Sequence, residues 1–467
     1  MQYQTINPYT EELVRTFDLH SDSEAEAIVA KADETYKADW SKRSPAARKT
    51  VVKKAASILR ERIEEFAGYS TLEMGKLLRE GRSELSLCAD ILDYFADNAE
   101  NFLAPEKIDV KDGEAFIETA PLGVLFCVEP WNFPYYQLVR VAAPNLMIGN
   151  TVICKHAPNV PQCALAFERL FLDAGAPAGV WTNVFLTNEQ AAKVIADSRI
   201  RGVALTGSER AGAAVASEAG QALKKSTMEL GGSDPFIVLD DADLETAVKW
   251  AVNGRMRNSG QSCISAKRFI VLEGIADAFL TRVKSEVEKL KPGDPMDPGT
   301  SLAPLCTEAA LNNALKQIDI AIKGGANVLL GGKRLDRRGF FLAPTILTDV
   351  RPDNPAFHLE FFAPVAMFFR VKNEDEAVGV ANDSPFGLGG SVITKDVERG
   401  KRVARRIESG MIFINRATGT SPELPFGGVK NSGYGRELSH LGIGEFVNKK
   451  LIRVAAEMSD AVSGGRP

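Results

Sequence analysis

The pattern that most restricts the fold is an alternation of short apolar runs with amphipathic ones. Asn150–Lys155, Val184–Leu186 and Gly202–Thr206 read as buried strands. The intervening segments, up to Ala174, Gln190–Asp197 and Ala213–Lys225, read as helices. Neighbouring parallel strands need a crossover, and a helix is the usual one. This order therefore predicts a doubly wound α/β sheet with helices on both faces. A second alternation opens at Asp234–Leu239. It runs through helices at Thr246–Met256, 275–290 and 307–323. Its strands are Phe269–Leu272, Asn327–Leu330, Phe341–Leu347, Val365–Phe369, Gly389–Thr394 and Gly410–Asn415. A chain of 467 residues exceeds what one core supports, so more than one domain is expected. Residues 1–20 read as a hairpin around Asn7-Pro8. Helices follow from Ser21 to about Glu100, the first capped by Asp22 or Ser23.

Composition narrows the partners. A net charge of −5 provides no basic footprint for nucleic acid or an anionic membrane. The 6 cysteines and 4 histidines show no metal-ligand spacing, so no metal is expected. Reduced thiols of this kind suit the cytoplasm. The first residues lack a basic stretch followed by an apolar one, so no secretory leader is expected, and no apolar run has the length of a membrane span.

Several stretches carry chemistry. Asn258-Ser-Gly-Gln-Ser-Cys263 displays a thiol on a small, polar turn, where a substrate can approach and backbone N–H groups favour a thiolate. The competing reading is a cysteine that packs as a small hydrophobe. Glu129-Pro-Trp131-Asn132-Phe-Pro134 is a rigid loop that fixes a carboxamide. Arg140 is the lone charge between Pro130 and Cys154. It requires an anionic partner, either an internal carboxylate or a substrate carboxylate or phosphate. Thr206-Gly207-Ser208, leading to Gly212, suits a phosphate at a helix N-terminus, or is an ordinary strand–helix turn. Glu229 stands on a short strand before Gly231-Gly232. Phe116–Val128, broken at Pro121-Leu-Gly, reads as a protruding β-hairpin of the kind that pairs subunits.

Five motifs occur in one order: Trp131-Asn-Phe-Pro, Met228-Glu-Leu-Gly-Gly, Gly260-Gln-Ser-Cys, Glu360-Phe-Phe-Ala-Pro-Val and Pro425-Phe-Gly-Gly-Val-Lys. Over essentially its whole length the chain resembles the NAD(P)-dependent aldehyde dehydrogenases. Lys155-His-Ala-Pro-Asn, Leu230-Gly-Gly-Ser-Asp-Pro and Gly435-Arg-Glu-Leu-Ser-His are most similar to the shorter bacterial succinate-semialdehyde dehydrogenases.

The resemblance implies two Rossmann-like domains and a small β-hairpin oligomerisation element. Residues 1–113 and 131–230 would bind the cofactor, and 231–440 would form the catalytic domain. Residues 114–130 and 441–457 would serve a homodimer or homotetramer, and 458–467 would be a flexible tail. It further implies Cys263 as nucleophile, Asn132 as oxyanion donor and Glu229 as the base that hydrolyses a thioester. Trp131, Lys155, Gly207, Ser208, Gly212, Leu230, Glu360 and Phe362 would hold the cofactor. Arg140, Arg257 and Ser421 would hold the substrate's distal carboxylate. Many members carry glutamate where this chain has Pro158, which implies NAD with NADP also accepted. Ser265 takes the place of a second cysteine found in some relatives, so no disulfide switch is expected. The alternatives are another small aldehyde, such as glutarate semialdehyde or a neutral aliphatic one, or a non-catalytic protein of the same fold. CoA acylation is disfavoured by Glu229.

Overall fold

A computed structural model describes residues 2–455. The tail expected at 458–467, and the end of the 441–457 segment, lie outside the described residues. Two sheets organise the chain. The first is 6-stranded, in the order Gly433–Tyr434, Lys225–Glu229, Ile200–Thr206, Val124–Glu129, Thr151–His156 and Trp181–Asn183. Its strands run parallel apart from the short Gly433–Tyr434 edge. Side-chain alternation in Val124–Glu129 shows why the sheet is covered on both faces. Leu125 and Cys127 join a core with helices Pro45–Glu61, Leu78–Phe102 and Tyr136–Ile148. Val124 and Phe126 join another, with helices Asp22–Ala38 and Asn188–Ala196.

The second sheet is 7-stranded, in the order Asn327–Leu330, Thr345–Thr348, Val365–Val371, Ala266–Leu272, Asp234–Val238, Ser391–Ile393 and Phe413–Ile414. Asn327–Leu330 is antiparallel to its neighbour and the rest are parallel. It too is doubly wound. Ile237, Ile270 and Met367 face the Glu308–Lys323 side, whereas Phe236, Phe269 and Phe368 face Leu244–Met256 and Glu273–Glu288.

Three local expectations are corrected. Val124–Glu129 is a central strand of the first sheet and does not belong to a hairpin. Its supposed partner, Glu114–Pro121, pairs instead with Val447–Val454 and Glu106–Ile108 in a 3-stranded antiparallel sheet. The Pro121-Leu-Gly break is thus where the chain passes between sheets. Ser21, rather than Asp22 or Ser23, caps the first helix, in a reciprocal arrangement with Glu24.

Candidate active site

The parallel strands of the first sheet end in Glu129, His156, Thr206 and Glu229. In open α/β sheets ligands collect beyond these carboxyl ends. The second sheet presents the opposite edge, because Cys263 and Glu360 lie just before the strands Ala266–Leu272 and Val365–Val371. The candidate site lies where these two edges meet.

The thiol turn is unusual in its backbone. Asn258, Ser259 and Gly260 lie consecutively at φ 53°, 51° and 72°. Left-handed conformations cost L-residues about 1–2 kcal/mol each, so the turn must be held from outside. Asn258 Nδ2 donates to the carbonyls of Asn132 (2.9 Å) and Gln261 (3.0 Å), and Ser259 Oγ donates to Ala303 (2.7 Å). At Gly260 a Cβ would meet the Ala363 carbonyl oxygen at 2.4 Å. Arg255, fully buried, donates to the carbonyls of Val365 (2.8 Å), Phe361 (2.9 Å) and Ala363, so it ties the Glu360 segment to this turn. No sequence motif marks Arg255.

The turn leaves Cys263 half-buried on the wall of a cavity of about 180 Å³, below the roughly 300–1,000 Å³ of drug-sized pockets and suited to a small molecule. Burial pushes the thiol up, Glu229 and Glu360 add to this, and Arg140 and Lys267 oppose it. Asn132 is held beside the turn. Its Nδ2 donates to Gln261 O (3.3 Å) and its Oδ1 accepts from Gln137 Nε2 (3.1 Å), which leaves one Nδ2 hydrogen uncommitted among these bonds. His156 braces the same loop, with Nε2 donating to Pro134 O (2.9 Å) and Nδ1 accepting from Ala157 N–H (2.9 Å).

Glu229 is buried at its strand end. The following turn packs on the thiol turn, because a Cβ on Gly232 would meet the Cys263 carbonyl oxygen at 2.6 Å. Burial raises Glu229 to about 8, with Glu437 and Asp234 adding to the effect and Arg140 opposing it. Neither carboxylate oxygen accepts a hydrogen bond from the described residues.

Arg140, expected as a ligand of the substrate carboxylate, is buried behind the cavity rings. Its guanidinium pairs with Glu437 (2.8 Å), approaches Glu229 (3.8 Å) and donates to Thr206 Oγ1 (3.0 Å). The rings of Tyr136 and Phe426, which do line the cavity, lie 4.8 and 4.6 Å from it. Burial alone would lower Arg140, but Glu437, Tyr136 and Glu229 outweigh it and hold the charge. Next to Ser421, Thr420 lines the cavity, hydrogen-bonded to the Tyr136 hydroxyl at 2.7 Å. Arg257 does line it, together with Arg416, which the sequence reading missed. Neither forms an ion pair among the described residues, and Arg416 rests against Trp250 and Phe413 (5.8 and 5.7 Å). A larger open cleft of about 680 Å³ shares Arg257 but lies on the outer side of Leu244–Met256, away from Cys263.

The expected cofactor residues follow the carboxyl edge of the first sheet. Ser208 caps the helix Glu209–Gln221, whose first N–H groups offer an anion site beside Thr206. Gly207 forms the turn. Gly212 is inside the helix, where its missing side chain admits Leu230, since a Cβ would meet Leu230 Cδ2 at 2.5 Å. The Trp131 and Phe362 rings meet edge to face at 5.7 Å. Glu360 accepts from Gly232 N–H (3.1 Å) and pairs with Lys267 (3.1 Å). Lys155 is buried at the end of its strand, close to Tyr3 (5.8 Å).

A thiol, a carboxamide and a buried carboxyl, set between two doubly wound sheets, define an α/β enzyme that works through a cysteine. The chain belongs to the aldehyde dehydrogenase family, whose model matches residues 1–452. It is 51% identical over 451 residues to a succinate-semialdehyde dehydrogenase [NADP(+)] of Deinococcus radiodurans, covering 97% of this chain and 94% of that protein. A probable enzyme of the same name from Synechocystis is 46% identical, covering 97% and 100%. The crystal structure of succinic semialdehyde dehydrogenase from Streptococcus pyogenes in complex with NADP+ superimposes with a TM-score of 0.96 at 47% identity, covering 97% and 100%. No helix among the described residues is long and apolar enough to cross a membrane.

Proposed function

We propose that the protein oxidises succinate semialdehyde to succinate, with NADP in preference to NAD. The observation that carries the substrate is the pair Arg257 and Arg416, two cations in the wall of the cavity that holds Cys263, neither paired with a carboxylate among the described residues. Guanidinium groups bind a carboxylate through paired hydrogen bonds, and such bonds to a charged group contribute about 1.5–3 kcal/mol each. The cavity then takes the aldehyde at Cys263 and the carboxylate at its far wall.

Cys263 attacks as the thiolate, and the new oxyanion takes the free Asn132 hydrogen and the Cys263 backbone N–H. The bound cofactor serves as hydride acceptor. Glu229 then removes a proton from the water that cleaves the thioester on Cys263. Gly207, Ser208 and the N-terminus of Glu209–Gln221 would hold the pyrophosphate, and Glu360 the nicotinamide ribose, with Trp131 and Phe362 beside it. Pro158 supplies no carboxylate at the position where many family members carry glutamate, and the NADP named for the relatives supports the preference. The initial expectation of NAD as the main cofactor is revised accordingly. The 3-stranded sheet leaves Leu451 and Val454 exposed on its outer strand, which supports self-association as a dimer or tetramer.

The test is a panel of aldehydes of matched length, with and without a distal carboxylate, assayed with NADP and NAD. A kcat/KM for succinate semialdehyde about tenfold or more above that of the neutral aldehyde is expected. Equal values would refute carboxylate recognition.

A further inference from the structure

Lys267 is fully buried, yet its ammonium is not spent on packing. Nζ donates to the carbonyl oxygens of Ser262 (2.8 Å) and Cys263 (2.7 Å) and pairs with Glu360 Oε1 (3.1 Å). Its three acceptors thus belong to two functional segments: the thiol turn, and the segment proposed to hold the nicotinamide ribose. Glu360 Oε1 also takes the Gly232 N–H (3.1 Å), so Oε1 is occupied twice, and Oε2 lies against Gly231, where a Cβ would meet it at 2.6 Å. A buried ammonium requires such partners, because an unpaired one would be several kcal/mol less stable. Lysine fits this geometry, since three donors on a compact head reach three acceptors in different directions.

We propose that Lys267 is a positioning residue that fixes the Cys263 turn to the ribose-binding Glu360 and supplies the charge that favours the Cys263 thiolate. This rests on the reading of Cys263 as nucleophile and Glu360 as ribose ligand. The charged groups facing the sulfur are Glu229 from its strand end, Arg140 from helix Tyr136–Ile148, Glu360 from its loop and Lys267. Those facing Lys267 are Glu360, Arg255, Asp234 and Cys263 itself. Glu360 is therefore common to both sets, and Lys267 is the cation that pairs with it.

Iodoacetamide alkylation of Cys263, followed by peptide mass against pH with and without NADP, reads this without turnover. A nearby opposite charge moves a pKa by about 1–3, so Lys267→Met should slow alkylation of Cys263 at pH 8 about tenfold or more. It should also weaken NADP binding, measured by fluorescence titration. Glu360→Gln removes the countercharge and should move the alkylation profile to lower pH. A Lys267→Met protein that melts like wild type but has its alkylation profile would overturn the proposal. So would a Glu360→Gln profile that stays or rises, and that arm decides alone if Lys267→Met does not fold. Normal aldehyde oxidation by Cys263→Ala would instead sink the nucleophile reading, which keeps the two failures apart.

Discussion

Arg140 and Glu437 form an ion pair of 2.8 Å in the interior, with Glu229 3.8 Å from the same guanidinium. A cation that sequence offers to the substrate is thus held by the protein's own carboxylates, behind the rings of Tyr136 and Phe426. Removing one member of a buried pair leaves the other uncompensated, at about 3–5 kcal/mol. Arg140→Met should therefore lower stability by that amount in denaturant titration, and should impair carboxylated and neutral aldehydes alike. A KM effect confined to the carboxylated substrate would return Arg140 to the substrate.

Arg257→Ala and Arg416→Ala should behave differently. Each should raise KM for succinate semialdehyde by about 10- to 100-fold, as expected for lost charged hydrogen bonds, with little change for a neutral aldehyde of equal length. Melting temperature should hardly move, since both side chains are exposed.

The pH dependence follows from Glu229, raised from 4.5 to about 8 by burial first. Thioester hydrolysis needs its carboxylate, so kcat limited by that step should fall as pH drops through about 8. Glu437→Gln removes a like charge and should move the inflection lower. Stability runs the other way. Between 4.5 and about 8 the unfolded chain ionises this group while the folded one keeps its proton, so its contribution is full below that window and is lost as pH rises through it.

Pro158→Glu should lower kcat/KM with NADP by about tenfold or more and leave NAD nearly unaffected, because a carboxylate there repels the 2′-phosphate and accepts a ribose hydroxyl. Initial rates with both cofactors check this.

Sequence periodicity located both doubly wound sheets, because alternating residues such as Val124 and Leu125 serve opposite faces and are apolar throughout. It misplaced Val124–Glu129, since alternation defines a strand but not its partner. The strand that does pair with Glu114–Pro121 is Val447–Val454, far along the chain. The thiol turn, Asn132 and Glu229 were legible as motifs of special composition. Arg140 was legible as a charge in need of an anion, but Glu437 is remote in sequence, so the choice between protein and substrate had to come from the fold. Arg416 follows the short strand Phe413–Ile414 with no local pattern to mark it. Lys267 lies just outside the Phe269–Leu272 run read as a strand, and nothing marks it until its three acceptors are seen.

The central claim is that succinate semialdehyde is oxidised while bound to Cys263 and released by Glu229. Glu229→Gln enzyme, mixed with succinate semialdehyde and NADP, quenched in acid and digested, tests it directly by peptide mass. The expected result is a succinyl group on the Cys263 peptide, formed with a burst of reduced cofactor and slow turnover. A burst without that adduct, an adduct on another residue, or unchanged steady turnover would contradict it.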